Sequence, residues 1–283
     1  MPTADVNGIT INYLLETPNT TSESGGDYIV LINGLADDLQ TWDAQVPHLL
    51  AKGYNVIRYD NRGIGRSSKP LGPYTAELMA QDLHLLLIAL ETKRFHLLGV
   101  SMGGMIAQSY ALAYPNGSSK ADGLEMLSLS LCCTYAQPTA FCQRMFGLWA
   151  DMAQRMSVQD VMRDVTLWAF TVPFFRKRTD ELEEVEQAMR QLDISLEAYL
   201  AQLNVIQQFD TTRPLEARKG GGLGGLDDGQ IMVLAGEEDI LIPVQLSREL
   251  AELIPGSVFE TTRGGHGCMV SLPPWVVCMQ WRC

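Results

Sequence analysis

Long apolar runs are missing from this 283-residue chain, although 46% of its residues are hydrophobic, enough for a sizeable core. No run reaches the roughly 18 apolar residues that a helix needs to cross a bilayer. The first residues, MPTADVNGIT, lack a basic segment followed by an apolar one, which is the pattern of a secretory signal. We therefore expect a cytoplasmic protein that has no membrane partner.

Positive charge is also scarce. The chain has 21 Lys and Arg residues against 33 Asp and Glu residues, which gives a formal net charge of −12. Nucleic-acid phosphates require clustered Lys and Arg side chains, so this balance argues against a nucleic-acid partner.

Paired cysteine motifs are absent. None of the six cysteines stands in a Cys-x-x-Cys spacing, which argues against a disulfide framework and against a zinc site. We expect free thiols and no bound metal. Cys268 stands two residues after a histidine, but a catalytic thiol is not the favoured interpretation there. The cysteines are Cys132, Cys133, Cys142, Cys268, Cys278 and Cys283.

Strand and helix patterns alternate along most of the chain. Short β-branched runs such as DYIVLIN (27–33) are typical of parallel strands buried on both faces. Helical periodicity lies between these runs, which predicts a mostly parallel sheet covered by helices on both faces. An Asn-Gly turn inside 6–15 predicts an edge hairpin. The further predicted strands are 54–60, 94–100, 123–132, 230–236 and 256–262.

One long segment breaks the alternation. Residues 134–215 contain several helical patterns and no strand pattern, so we predict a helical lid inserted between two strands. The core would then consist of residues 1–133 and 216–283. A glycine-dense stretch, 218–230, is expected to be a loop where the chain returns to the sheet.

A serine stands between two glycines directly after a predicted strand and before a predicted helix. Gly99-Val100-Ser101-Met102-Gly103 fits the G-x-S-x-G pattern of a nucleophile elbow. In that context the Ser101 hydroxyl would be presented at the carboxyl edge of the sheet. The alternative is a glycine turn that only lets the helix approach the strand.

A serine nucleophile needs a base, and the chain has only four histidines. His266 lies in RGGHG after the last predicted strand, where a loop can carry it over the sheet edge. His48, His84 and His96 fall inside predicted helices or strands. Asp239, in the loop after the strand at 230–236, is our choice for the carboxylate that orients the imidazole, ahead of its acidic neighbours.

Two backbone amides are candidates for an oxyanion hole. The Met102 N–H lies at a helix N-terminus, where the helix dipole favours developing negative charge. The Leu35 N–H follows Gly34 in the loop after the strand at 27–33. An ordinary turn at the strand end is the alternative interpretation of this loop.

These segments together resemble the α/β-hydrolase superfamily over nearly the whole chain. Serine, acid and histidine occur in the order of that fold. LINGLADDLQTWDAQ, YDNRGIGRSS, LLGVSMGGMIAQSYALAYP, AGEEDILIP and GGHG carry the resemblance. Within the superfamily the chain is similar to the 3-oxoadipate enol-lactonase group. The resemblance implies a catalytic triad of Ser101, Asp239 and His266, oxyanion amides at Leu35 and Met102, a helical lid and no cofactor.

The expected function is hydrolysis of a small-molecule ester or lactone through an acyl-enzyme. A carbon–carbon bond hydrolase, a perhydrolase and a ligand-binding protein that has kept the fold remain open as alternatives. The sequence does not indicate the substrate or the oligomeric state. Two segments depart from the family pattern, namely the glycine-rich 218–229 and the 17 residues after His266, which give a poor version of the final helix.

Overall fold

The strands of the protein form one eight-stranded sheet. The computed structural model describes residues 1–18, 26–117, 122–217 and 223–268. The predicted final helix therefore lies outside the described residues, as does part of the glycine-rich loop. The strands are β1 (Thr3–Val6), β2 (Ile9–Glu16), β3 (Tyr28–Ile32), β4 (Asn55–Tyr59), β5 (Arg94–Val100), β6 (Glu125–Cys132), β7 (Ile231–Gly236) and β8 (Val258–Thr262).

The sheet is mostly parallel and has an antiparallel hairpin at one edge. Its strand order is β1-β2-β4-β3-β5-β6-β7-β8. β1 pairs with β2 and β2 with β4 in antiparallel fashion, whereas all later neighbours pair in parallel. The predicted α/β-hydrolase sheet and its edge hairpin are confirmed.

Both faces of the sheet are buried, as the continuous apolar strands predict. Side chains of β3 alternate between two hydrophobic clusters. Val30 and Ile32 join the larger cluster, and Ile29 and Leu31 join the smaller one on the other face. All four side chains are fully buried. A strand with two buried faces is rigid, which suits it to position catalytic groups at its end.

Ten helices lie within the described residues. Side-chain caps begin several of them: the Thr75 hydroxyl accepts from the Leu78 N–H at the start of α2. The helices are α1 (Val46–Ala51), α2 (Ala76–Ala89), α3 (Met102–Ala113), α4 (Ala140–Ala153), α5 (Val158–Ala169), α6 (Val172–Lys177), α7 (Thr179–Arg190), α8 (Leu196–Gln208), α9 (Thr212–Glu216) and α10 (Val244–Leu253). None of them is both long and apolar enough to cross a membrane.

The helices from α4 to α9 follow one another between β6 and β7, where the lid is predicted. The predicted boundaries of core and lid remain predictions. Parallel strands place their carboxyl ends at the same edge of the sheet. Leu35, Ser101, Asp239 and His266 lie in the segments that follow β3, β5, β7 and β8, respectively. The candidate site therefore lies at the carboxyl edge of the sheet.

Candidate active site

Ser101 occupies a strained turn between β5 and α3. Its backbone has φ 56° and ψ −120°, an uncommon conformation for a residue with a side chain. Close packing explains the two glycines around it. A Cβ on Gly99 would lie 2.1 Å from the Gly103 carbonyl oxygen, and a Cβ on Gly103 would lie 2.3 Å from the Ile32 carbonyl oxygen. The helix can thus start against the strands only if both positions are glycine, and the turn presents Ser101 at its apex.

His266 and Asp239 form a hydrogen-bonded pair at the same edge. His266 Nδ1 lies 2.8 Å from Asp239 Oδ2, and the Asp239 side chain is fully buried. The other carboxylate oxygen accepts the N–H groups of Leu241 and Ile242 at 2.9 and 2.8 Å. Asp239 is therefore fixed from both sides and holds the imidazole in one orientation.

The charge of Asp239 also sets the protonation of the imidazole. Burial by itself lowers the pKa of His266, but the charge and hydrogen bond of Asp239, with smaller contributions from Cys133 and Asp37, raise it above its usual value of 6.5. The imidazolium form is thus stabilised in place, which is what a base needs when it accepts a proton during a reaction.

The histidine loop packs against the end of α5 and the short connection between α5 and α6. The Gly267 N–H donates to the Ala169 carbonyl at 2.8 Å. The Phe170 ring lies so close that a Cβ on Gly267 would be 2.5 Å from its Cε1. Phe170 is thereby placed beside the histidine loop, whereas Trp149 and Phe174, which also lie between β6 and β7, are buried.

The turn after β3 is braced from several directions. Asn33 accepts from Trp42 Nε1 at 2.5 Å and donates to the Tyr59 carbonyl at 3.0 Å. Ala36, at φ 55°, donates its N–H to Gln202 Oε1 of α8 at 2.9 Å. Leu35, between these anchors, is thus held in a fixed turn.

The Leu35 and Met102 amides are both available as donors. Within the part of the chain that the structure describes, neither N–H donates a hydrogen bond to another protein group. Met102 opens α3, so its amide points out of the helix end. Gly34 brings the turn against the elbow, because a Cβ on Gly34 would lie 3.5 Å from Ser101 Cβ.

One residue of this edge was missed by the sequence analysis. Asp37, in the same turn, places Oδ2 3.1 Å from the position of a Cβ on Gly34. It is half-buried, and its charge interacts with that of His266. The sequence shows this residue only as the first member of the pair Asp37-Asp38, inside the segment LINGLADDLQTWDAQ that carries the family resemblance. Asp37 therefore lies beside the Ser101 turn and within range of the His266 charge.

β6 lies between β5, which leads to Ser101, and β7, which leads to Asp239, and its end contacts both sites. The Ser101 N–H donates to the Cys132 carbonyl at the end of β6, 2.9 Å away. The next residue, Cys133, has its sulfur within 4.8 Å of the ligand atoms of both Asp239 and His266. The structure thus brings all three predicted triad residues to one edge of the sheet.

The same cluster could be taken for a metal site. Its donor set does not suit a metal, because both Asp239 oxygens already accept hydrogen bonds. The pKa of the Cys133 thiol is raised well above its usual range, chiefly by its hydrogen bond with Cys268 and by burial, so it is a neutral thiol. The sulfurs of Cys133 and Cys268 lie 3.4 Å apart, and both cysteines are free and buried.

The remaining histidines lie elsewhere. His48 is exposed on α1. His84 Nε2 lies 3.4 Å from Asp122, and His96 Nδ1 lies 2.8 Å from the Ser128 hydroxyl on the neighbouring strand.

Known proteins resemble this chain over most of its length. A family model described as the alpha/beta hydrolase fold matches residues 27–269. A carbamate hydrolase RutD from Caulobacter segnis is 25% identical over 253 residues, which are 88% of each chain. The crystal structure of the enol-lactonase from Burkholderia xenovorans LB400 is 26% identical, with a TM-score of 0.78, and covers 95% of this chain and 94% of that one. A hydrolase from Pseudomonas aeruginosa PA01 superposes with a TM-score of 0.81 at 23% identity, covering 100% and 98% of the two chains.

Proposed function

Because this chain belongs to the alpha/beta hydrolase family, we propose that it is a serine hydrolase that cleaves a carboxylic ester or a lactone of a small molecule. The observation that carries the proposal is the buried His266–Asp239 pair at the sheet edge where the strained turn presents Ser101. The proposed triad has Ser101 as nucleophile, His266 as general base and Asp239 as the orienting carboxylate.

The proposed reaction has two stages. His266 Nε2 takes the proton of Ser101 as Oγ attacks the carbonyl carbon, and the tetrahedral intermediate places its negative oxygen on the Leu35 and Met102 amides. Collapse of the intermediate breaks the bond to the leaving oxygen, which receives the proton from His266. Water, deprotonated by His266, then attacks the acyl-enzyme and releases the acid and free Ser101.

The names of the relatives support a carbonyl substrate. The enol-lactonase and the carbamate hydrolase are each named for a substrate with a carbonyl carbon next to a heteroatom. A lactone and an ester fit the same sequence of steps, and a carbamate belongs in the panel because its carbonyl can be attacked in the same way. The helices between β6 and β7 would cover the acyl and alcohol groups, with Phe170 closest to the histidine.

Labelling with a fluorophosphonate tests this function without knowledge of the substrate. The reagent phosphonylates a serine only when a base activates it. We expect the intact mass to increase by one adduct, which maps to the peptide containing Ser101, and we expect no adduct on Ser101→Ala. Hydrolysis of simple esters, lactones and carbamates by the same preparation would then define the reaction.

Ser109→Ala is the matched control for the labelling. Ser109 lies two turns further along α3 and is 2% exposed, so its removal should leave the adduct unchanged. A folded wild type that takes up no reagent, or an adduct that persists on Ser101→Ala, would contradict the proposal.

The pH dependence of kcat/KM should reflect the charge of the Asp239 carboxylate. The base must be neutral to accept a proton, and the pKa of His266 is raised above 6.5 against the effect of burial, chiefly by Asp239 and to a smaller extent by Cys133 and Asp37. We expect kcat/KM for a neutral ester to rise with pH and to reach half its maximum above pH 6.5. A midpoint at or below 6.5 would mean that this carboxylate does not control the base.

A further inference from the structure

A second carboxylate lies beside the proposed nucleophile. The position of a Cβ on Gly34 would be 3.1 Å from Asp37 Oδ2 and 3.5 Å from Ser101 Cβ. Both side chains therefore border the space that a side chain at Gly34 would fill. We expect a substrate held at Ser101 to bring the groups next to its carbonyl carbon within range of the Asp37 charge.

Asp37 has no lysine or arginine as a partner. Among the described residues it forms no ion pair with a lysine or arginine and accepts no hydrogen bond. The charged groups that interact with it are Asp38, which precedes the short helix at Leu39–Trp42, and His266 on the histidine loop. Asp38 is of the same sign, and its own side chain accepts from the Gln40 N–H. His266 is of the opposite sign only while it is protonated. A general base has to be neutral to accept a proton, and in that form of the site the negative charge of Asp37 is left for the pocket.

From this geometry we infer that Asp37 makes the site selective for substrates with a cationic group near the scissile carbonyl and against anionic ones. The inference rests on the proposed hydrolase function and adds a substrate class to it. A unit charge a few ångströms away in a partly buried site interacts strongly, so one carboxylate can produce about tenfold selectivity or more. The net charge of −12 would attract the same cations from a distance.

The selectivity should depend on pH. Burial and then the neighbouring Asp38 carboxylate raise the pKa of Asp37, His266 lowers it, and the resulting pKa is about 7. Asp37 therefore gains its charge as the pH rises through about 7, and selectivity for the cation should increase over that range. Titration of His266 affects all esters alike and cancels from a ratio of kcat/KM values.

Two isosteric esters isolate the effect of charge. The p-nitrophenyl esters of 4-(trimethylammonio)butanoic acid and 5,5-dimethylhexanoic acid have the same shape and differ by one positive charge. We expect the kcat/KM ratio of cationic to neutral ester to fall about tenfold or more in Asp37→Asn. The ester of 4-sulfobutanoic acid, an anion, should gain in the same variant. The wild-type ratio should increase from pH 5.5 to 8.5, and the Asp37→Asn ratio should not.

Glu238→Gln is the matched control, because it removes one negative charge from an exposed side chain next to Asp239. Its cation-to-neutral ratio should stay within about twofold of the wild-type ratio, because solvent screens an exposed charge. An Asp37→Asn ratio equal to that of wild type, or an equal fall in Glu238→Gln, would overturn the inference.

The Ser101→Ala variant separates this inference from the proposed function. It should bind both esters without hydrolysis, so their Kd values can be measured directly. The Kd ratio should favour the cation in Ser101→Ala and lose that preference in the Ser101→Ala, Asp37→Asn double variant. Suppose that the double variant loses the Kd preference for the cation while wild type neither hydrolyses the esters nor takes up fluorophosphonate. That pair of results would contradict the hydrolase function but support the role of Asp37. Hydrolysis of the esters by wild type, with neither the kcat/KM ratio nor the Kd ratio changed by Asp37→Asn, would support the hydrolase function and contradict the role of Asp37.

Discussion

Asp239→Asn is expected to lower kcat by about 10⁴-fold while the fold is retained. The asparagine oxygen can keep the hydrogen bonds from the Leu241 and Ile242 amides, which the Oδ1 atom of Asp239 accepts. The amide nitrogen then replaces the oxygen that now faces His266 Nδ1 at 2.8 Å. That nitrogen donates, so Nδ1 must accept and the proton moves to Nε2. With Nε2 protonated, the imidazole cannot take the proton of Ser101.

The same variant should also change the pKa of the histidine. Without the carboxylate charge, burial dominates and the pKa of His266 falls below its present raised position. An NMR titration of the imidazole signals would detect the fall, with the His266 resonance assigned from a His266→Gln sample. Kinetics and titration together distinguish loss of orientation from general damage.

Glu237→Gln provides the control for this experiment. Glu237 is exposed, lies two residues before Asp239, and accepts a hydrogen bond from the Thr261 hydroxyl that glutamine can keep. We expect its kcat to match that of wild type within about twofold. If Asp239→Asn lost less than tenfold in kcat, another group would have to orient the base.

The sheet could be predicted because each strand carries its own signal. β3 is a run of apolar and β-branched residues with both faces buried, and β5, which contains Gly99, ends directly before Ser101. The spacing of Gly99 and Gly103 around Ser101 reflects contacts with the backbone itself, which any side chain would violate. Such constraints are local, and the sequence shows them.

The parts of the site that the sequence did not predict depend on contacts between residues distant in sequence. Gln202 supports the turn at Ala36 from 166 residues away, and no local pattern indicates that contact. Asp37 lies in a turn whose shape follows from the positive φ of Ala36 and from that support. Sequence reasoning could list the acids near Gly34, but only the folded turn shows that the Asp37 carboxylate lies beside Gly34. The short helices α6 and α9 were likewise missed as separate elements, since five or six residues carry too little periodicity.

Gly103→Ala should destabilise the protein by about 3 kcal/mol or more, since the new methyl group has no space. Its Cβ would lie 2.3 Å from the Ile32 carbonyl oxygen and 2.7 Å from that of Asn33. Both are backbone atoms, at the end of a central strand and at the start of the turn that carries Leu35. To accommodate the methyl group, α3 must move away from β3, which separates the Met102 amide from the Leu35 amide.

For Gly147→Ala, the same chemical change, we expect the free energy of unfolding to increase. Urea unfolding of both variants measures the two changes directly. A Cβ on Gly147, inside α4, would meet only Gln207 Nε2 at 4.0 Å. Alanine there should stabilise the protein by about 0.5–1 kcal/mol, because it reduces the freedom of the unfolded chain and favours the helix. If Gly103→Ala unfolded at the same urea concentration as wild type, close packing could not be the reason for glycine at the elbow. Backbone conformation does not explain a glycine at position 103, because this position is helical and alanine favours a helix more than glycine does.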